Sequence, residues 1–366
     1  MTHIPHSTVS VPGAVDAARP SERAVSGPAV GPVRLRPPGG AGRIVAIDVV
    51  RGLAVLGMVA VHTVGALSPV VDAVVVGHTS VLFFLVAGVT VGLTASRRRA
   101  DGAVEVTGRA LLVPRAVVVF ALGVVTIVTI LPVHGLLLLV LAAVVDLRPR
   151  TLAISAVAAA AVTAPLGLLL GTARDAGTFD VLTSLAQGTV DVLVQAAAYL
   201  VASLAGAAVG RLLAQGALRV GVLAVVGASC AAAAYGVALL ASVVDLGPLA
   251  SSLLSAEAHS GSPVEMIGST GLCLLLLAAV LALPSSTHRL LEPVAAVGAL
   301  ALTMYLLHFV VVLALLPLAT TEAGQFAVFA ASASVLVVVA LLVRRRFRRG
   351  PLEWLVATGA RRLAGG

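Results

Sequence analysis

The first long apolar segment of the chain carries three ionisable side chains, Asp48, Arg51 and His62. Asp48 and Arg51 are three residues apart, so on a helix they can pair on one face. His62 follows Arg51 by eleven positions, which places it about 16 Å further along nearly the same face. Because each such side chain costs at least about 2.5–3.5 kcal/mol inside a membrane helix, we expect this stripe to be functional. The alternative is a structural ion pair and a histidine that only bonds a neighbouring helix.

Histidines provide a second candidate site. On the topology derived below, five of them fall in, or toward, the outer half of the membrane: His62, His78, His134, His259 and His308. Imidazole transfers protons near neutral pH, so His62 or His78 could act as general base on a hydroxyl or amine presented from outside. Glu265, His259 or Asp48 would orient it, and this hypothesis requires His62, His78 and Glu265 to line a shared cavity. The alternative for some of these histidines is solvation at the membrane interface.

Arginines near the first three predicted helices provide a candidate binding site for an anion. Arg51, Arg109 and Arg115 are the expected contacts for a phosphorylated donor, because guanidinium groups match phosphate geometry. For Arg97, Arg98 and Arg99 a role in topology and lipid-headgroup binding is favoured. The chain has no Lys, hence no Walker A motif, and its His and Cys spacings predict no metal site.

The composition specifies the environment of these residues. Hydrophobic residues make up 59% of the 366 positions and charged residues only 11%, whereas soluble domains carry about a quarter charged residues. A net charge of +8 often indicates nucleic-acid binding. Here the arginines lie between apolar runs, which indicates membrane topology and predicts no nucleic-acid partner.

Apolar runs predict an all-α, polytopic membrane helix bundle of about ten transmembrane helices. The expected spans are 44–67, 79–96, 110–131, 133–147, 151–171, 190–212, 219–244, 265–284, 293–317 and 325–343, with a short turn at Pro132. We expect residues 1–42 to be a disordered cytoplasmic tail, residues 43–343 the transmembrane domain and residues 344–366 a basic cytoplasmic tail.

Arginine-rich and arginine-poor connections alternate along these spans. The positive-inside rule then places both termini of this multi-pass protein in the cytoplasm. All 24 basic residues are Arg in an Ala- and Val-rich chain, which suggests a high-GC bacterium, so the plasma membrane of a bacterium is the expected location. The sequence leaves the oligomeric state open, a homo-oligomer included.

Several motifs in this order resemble the transmembrane acyltransferase superfamily. The first-helix pattern is Asp48-x-x-Arg51-Gly52 followed by His62. The bacterial YeiB-like membrane family is most similar over residues 43 to 354. The stretches that carry this similarity are Leu82 to Gly88, His259 to Ser269, Leu302 to His308 and Gly350 to Trp354. The heparan-α-glucosaminide N-acetyltransferase branch shares the opening motif, and the acyltransferase-three branch shares the Asp48 to His62 spacing.

The resemblance implies acyl transfer, with acetyl the first candidate, from cytoplasmic acyl-CoA to an extracytoplasmic glycan or lipid-linked acceptor. It implies that His62 matches a catalytic histidine and Arg51 a donor-side arginine. In that reaction His62, or His78, would be the general base or a transient acyl carrier. His78 lies in the region of the N-acetyltransferase histidine without matching its motif. Where YeiB-like proteins usually have Gly-Arg, this chain has Gly298 and Ala299.

Two other functions remain open from the sequence. A transporter of a solute or lipid would use Asp48, Arg51 and His62 as a binding or proton-relay stripe. We expect neither inverted repeats nor broken half-helices, which disfavours it. In a non-catalytic membrane scaffold the polar residues would only join helices.

Overall fold

The computed structural model describes residues 44–67, 69–94, 108–126, 128–175, 184–347 and 349–364. These residues form helices and connecting turns, with no strand among them. The helices are α1 (Val45–Thr63), α2 (Pro69–Val75), α3 (His78–Thr94), α4 (Gly108–Thr126), α5 (Ile130–Val144), α6 (Pro149–Asp175), α7 (Ser184–Ala214), α8 (Val220–Ser242), α9 (Gly247–Leu253), α10 (Pro263–Ala282), α11 (Ser285–Leu290), α12 (Glu292–Ala299), α13 (Ala301–Leu315), α14 (Glu322–Arg346) and α15 (Pro351–Leu363). Two 3₁₀ turns, Gly65–Leu67 and Leu316–Leu318, complete the described elements.

Six of the described helices are long and apolar enough to cross a membrane. They are Val45–Thr63, Thr189–Ala214, Val220–Ser242, Pro263–Ala282, Ala301–Leu318 and Glu322–Arg346. Four further apolar helices are shorter, at 10–17 residues. An all-helical membrane protein is therefore supported, whereas the count of ten spans and the orientation of the termini stay predictions. The predicted tail 1–42 lies outside the described residues.

Glycines let several helix pairs pack backbone against backbone, as is common for helices in lipid. A Cβ atom added to Gly298 on α12 would lie 1.8 Å from the carbonyl oxygen of Asp48 on α1. In the other direction, a Cβ atom on Gly52 would lie 2.0 Å from the Val294 carbonyl oxygen. Side chains larger than hydrogen are therefore excluded at both positions, and this contact fixes α1 against α12.

The turn between α4 and α5 lies earlier than the expected turn at Pro132. Helix α4 ends at Thr126, α5 begins at Ile130, and Pro132 is in the first turn of α5. Proline is tolerated there because the first N–H groups of a helix have no intrahelical partner.

The expected single helix 293–317 is interrupted at Leu300, which separates α12 from α13. The prediction that the chain has no broken half-helices is therefore wrong. The cause is a contact distant in sequence. Backbone N–H groups of Leu302 and Thr303, which begin α13, donate to the Glu353 carboxylate at 2.8 and 3.0 Å.

The segment expected as the tail 344–366 contains helix α15, which supplies Glu353. This helix packs mainly against α4 and also contacts α13, and Val356 and Ala360 on its inner face are buried. Its position completes one side of the cavity described next.

Candidate functional site

A cavity of about 380 Å³ lies among α1, α3, α4, α5, the α12–α13 break and α15. We call it the arginine cavity because Arg51, Arg115 and Arg349 line it, together with His134 and Glu353. Its volume is in the range of small-molecule sites. Apolar and small residues complete its walls: Phe83, Ala87, Val91, Leu112, Val119, Leu131, Leu138, Ala299, Leu302 and Val356.

Arg51 is held in place within this cavity. One terminal nitrogen of its guanidinium donates to Asp48 Oδ1 at 2.8 Å, which is the ion pair expected from their spacing. The other terminal nitrogen donates to the hydroxyl of Thr90 on α3. Asp48 is itself buried, so the pair orients Arg51 toward the cavity from the contact between α1 and α12.

Arg115 and Arg349 differ from Arg51 in having no hydrogen bond or ion pair in the described part of the chain. Both side chains are accessible to solvent while lining the cavity. Glu353 is the one acidic residue in the lining, and its oxygens are already bonded to the start of α13. Three guanidinium groups and one engaged carboxylate leave the lining with an excess of positive charge that favours an anion.

His134 is the imidazole in this cavity. Its ring contacts Phe83 and Phe84 at centroid distances of 5.4 and 6.0 Å, and its buried Nδ1 has no hydrogen-bond partner in the part of the chain that the structure describes. Arg109 also begins α4, but its side chain lies outside the described residues, as do Arg97, Arg98 and Arg99.

His62 lies away from the cavity lining, near the end of α1, and is exposed. Its ring stacks on that of His308 at 5.5 Å and contacts Phe309 at 5.3 Å. His308 is completely buried, and its Nε2 has no hydrogen-bond partner among the described residues. A run of ring contacts links this pair back to the cavity, from His308 to Tyr305 at 5.0 Å and from Tyr305 to Phe83 at 5.7 Å.

His78 lies in a separate polar group, at the start of α3. Its Nε2 is 2.8 Å from the hydroxyl of Tyr235 on α8, which is 3.5 Å from the Ser269 hydroxyl on α10. The Nδ1 atom of His78 is 3.3 Å from the Val76 carbonyl oxygen. Both ring nitrogens of His78 therefore have partners within the protein.

Glu265 closes the loop 254–262, which precedes α10. Its buried carboxylate accepts hydrogen bonds from the His259 and Gly261 N–H groups at 2.6 and 2.7 Å and from the Ser260 hydroxyl at 3.1 Å. His259 has a positive φ of 64°, and its Nδ1 is 3.5 Å from the Tyr199 hydroxyl. The Glu265 carboxylate thus binds the loop backbone and no imidazole in the described structure.

None of His62, His78 and Glu265 lines the arginine cavity, although Arg51 and Arg115 do. The structure therefore brings Arg51 and Arg115 together with His134, and it keeps these two arginines apart from His62 and His78. Sequence reasoning missed Arg349 and Glu353, because 344–366 was expected to be a tail. A signal was present in the helix start at Pro351 and in the four-residue spacing of Leu352, Val356 and Ala360.

A protein-family model described as "Protein of unknown function (DUF418)" matches residues 207–362. This match is consistent with the resemblance to the YeiB-like family. It includes Glu265, Arg349 and Glu353, whereas Arg51, Arg115 and His134 precede it. No curated protein and no solved structure matches the chain.

Proposed function

We propose that the protein is an integral membrane acyltransferase that binds the phosphates of acyl-CoA, first of all acetyl-CoA, in the arginine cavity. The observation that carries this proposal is the presence of two guanidinium groups, Arg115 and Arg349, that line the cavity without a hydrogen bond or ion pair in the described residues. Arginine binds phosphate through two parallel hydrogen bonds, and a site of low polarity strengthens these bonds.

The apolar wall of the cavity suits the rest of such a donor. Phe83, Val91 and Leu138 lie beside the charged groups in the same lining. An amphiphilic anion gains from both kinds of contact, because the charged part meets the arginines and the acyl-bearing arm meets apolar side chains. This combination favours acyl-CoA over a small inorganic anion.

The transfer itself needs a base for the acceptor hydroxyl or amine. The acceptor oxygen or nitrogen attacks the thioester carbonyl, the base takes its proton, and the CoA thiolate leaves and receives a proton. His134 is the imidazole placed to meet the donor, since it lines the cavity. In this proposal the thioester arm extends from the cavity along α1 toward exposed His62, which is stacked on His308. His62 would then act as base for an extracytoplasmic glycan or lipid-linked acceptor at that end of α1.

Binding is the first test, measured with CoA and acetyl-CoA on the detergent-solubilised full chain by calorimetry. We expect R115Q and R349Q each to raise the Kd for CoA roughly 10- to 100-fold, because each variant loses the hydrogen bonds between one guanidinium group and the phosphates. Arg219→Gln, at an exposed arginine before α8, is the matched control. No CoA binding by the wild type, or equal binding by the double variant, would refute the proposed donor site.

Transfer is tested separately with labelled acetyl-CoA and membrane extracts as the acceptor source. His62→Ala, His78→Ala and His134→Ala are compared at saturating donor. We expect loss of transfer in H62A and H134A with an unchanged Kd for CoA in H62A, because His62 does not line the donor cavity. Full transfer by all three variants would remove histidine from the mechanism.

A transporter of an anionic solute or lipid is the second candidate. It is favoured by the interruption at Leu300, because broken helices in transporters commonly form substrate sites. Here Ala299, Ala301 and Leu302, around the break, line the arginine cavity. Movement of labelled anion into proteoliposomes without transfer of an acyl group would favour this function over catalysis, and inert behaviour in both assays would favour a scaffold.

A further inference from the structure

Helix α15 has one face that packs against the rest of the protein and an opposite face that is exposed. Its inner face carries Glu353, Val356 and Ala360 toward the cavity and α4. At 100° per residue, Trp354, Leu355, Arg361 and Arg362 fall within an arc of about 120° on the opposite side. All four of these side chains are exposed, with Trp354 58% and Leu355 44% accessible.

This outer face combines a membrane-seeking tryptophan with positive charge. Trp354 is the one tryptophan of the whole chain, and tryptophan prefers the boundary between headgroups and acyl chains. Arg361 donates its Nε–H to the Ala357 carbonyl oxygen at 3.1 Å, and its side chain is exposed. A helix with apolar and basic residues on one exposed side lies in the interface plane of a membrane.

The preceding helix places α15 at the right depth. Apolar α14 ends in three exposed arginines, Arg344, Arg345 and Arg346, which mark where a spanning helix leaves the hydrocarbon. Only four residues separate the end of α14 from the start of α15. Because this connection is short, α15 begins within the headgroup layer.

We propose that the outer face of α15 binds the headgroups of anionic phospholipids, with Trp354 and Leu355 at the acyl boundary and Arg361 and Arg362 on the phosphates. The partner is a lipid surface because two large apolar side chains near the start of the helix and two basic side chains near its end share one exposed side of a helix joined to a candidate membrane span. The inner face of the same helix carries Glu353 at the cavity, and Arg349 lies in the connection just before the helix, so lipid contact supports the cavity wall. This inference does not depend on acyl transfer.

The single tryptophan provides a direct probe in proteoliposomes of the full chain. Emission from Trp354 is recorded with a small fraction of phosphatidylcholine or phosphatidylglycerol brominated near the glycerol end, or near the methyl end, of its acyl chains. We expect stronger quenching by the shallow label than by the deep label, and stronger quenching by phosphatidylglycerol than by phosphatidylcholine at equal mole fraction.

Variants separate the roles of charge and helix position. R361Q/R362Q is expected to lower the preference for phosphatidylglycerol about fivefold per arginine and to leave the shallow position of Trp354 unchanged. Arg219→Gln, before α8, keeps the full preference. Quenching of Trp354 by aqueous iodide in place of lipid, or equal quenching by the two lipids in the wild type, would overturn the proposal. Loss of CoA binding alone would refute the donor site and leave this result intact.

Discussion

The arginine cavity and the Glu265 loop both hold charged groups in an apolar helix bundle, but they satisfy those charges in opposite ways. Glu265 is 2% exposed and its carboxylate accepts three hydrogen bonds from residues 259–261. Arg115 and Arg349 line an open volume and have no such bonds in the described part of the chain. A buried charge with a full set of partners holds the fold together, whereas accessible charges beside a cavity are suited to a ligand.

The largest effect is expected at Glu265. In Glu265→Gln the amide nitrogen faces backbone N–H donors, so hydrogen bonds are lost and donors are left unpaired. We expect the free energy of unfolding to fall by about 3 kcal/mol while CoA binding by the folded protein is retained. Thermal and denaturant unfolding in detergent measure the first, and calorimetry the second.

Glu257→Gln is the control for this variant, since Glu257 is exposed in the same loop. We expect it to stay within about 0.5 kcal/mol of the wild type. A Glu265→Gln protein with unchanged stability and no acyl transfer would break the comparison, because it would return Glu265 to the catalytic role expected from the sequence.

At Arg115 and Arg349 the opposite pattern is expected. The R115Q and R349Q proteins should unfold within about 0.5 kcal/mol of the wild type, because the described structure gives these side chains no bonded partner to lose. Each substitution should instead weaken the binding of CoA, by about 1.5–3 kcal/mol of binding free energy. Strong destabilisation without weaker binding would show that the arginines stabilise the fold.

Glu353 both bonds the start of α13 and lines the arginine cavity, so its substitution should affect stability and CoA binding together. In Glu353→Gln the start of α13 keeps a neutral acceptor and loses a charged one, which costs about 1 kcal/mol of stability. Removal of a negative charge from the cavity should at the same time tighten CoA binding, roughly fivefold for about 1 kcal/mol. Unfolding and calorimetry on the same preparation measure the expected loss of stability and the expected gain in CoA affinity. Glu292→Gln, at an exposed residue of α12, is the control. A variant that binds CoA more weakly would contradict the proposed charge balance.

The smallest effect is expected at Tyr235. Tyr235→Phe removes the hydroxyl that lies 2.8 Å from His78 Nε2 and should lower the free energy of unfolding by about 1 kcal/mol. The Kd for CoA should not change, since neither residue lines the cavity. Loss of acyl transfer in this stable variant would instead identify the group around His78 as part of the acceptor site.

Local spacing allowed the sequence to predict some of this site. Asp48 and Arg51 pair because residues three apart meet on any helix, whatever surrounds them. Arg51 and Arg115 were expected at the same end of the bundle from the distribution of basic residues, and both line the cavity.

The remaining parts depend on contacts between distant positions. No proline at Leu300 indicates the break in the sequence. The N–H group of Thr303 after the break bonds Glu353, which is fifty residues further along the chain. His134 was expected with the outer histidines because the predicted spans were used to estimate its position along the helix. In the structure α5 begins earlier, at Ile130, and His134 lines the cavity with Arg51 and Arg115. Such features appear only when the packing of the helices is known.

The bond between Glu353 and the start of α13 also sets an order of events during synthesis. Thr303 leaves the ribosome fifty residues before Glu353, which at about 5–20 residues per second is roughly 3–10 s. Throughout that interval the first N–H groups of α13 lack the acceptor that the finished protein gives them. The cavity is thus completed only once α15 has been made, well after the helices that form its other walls.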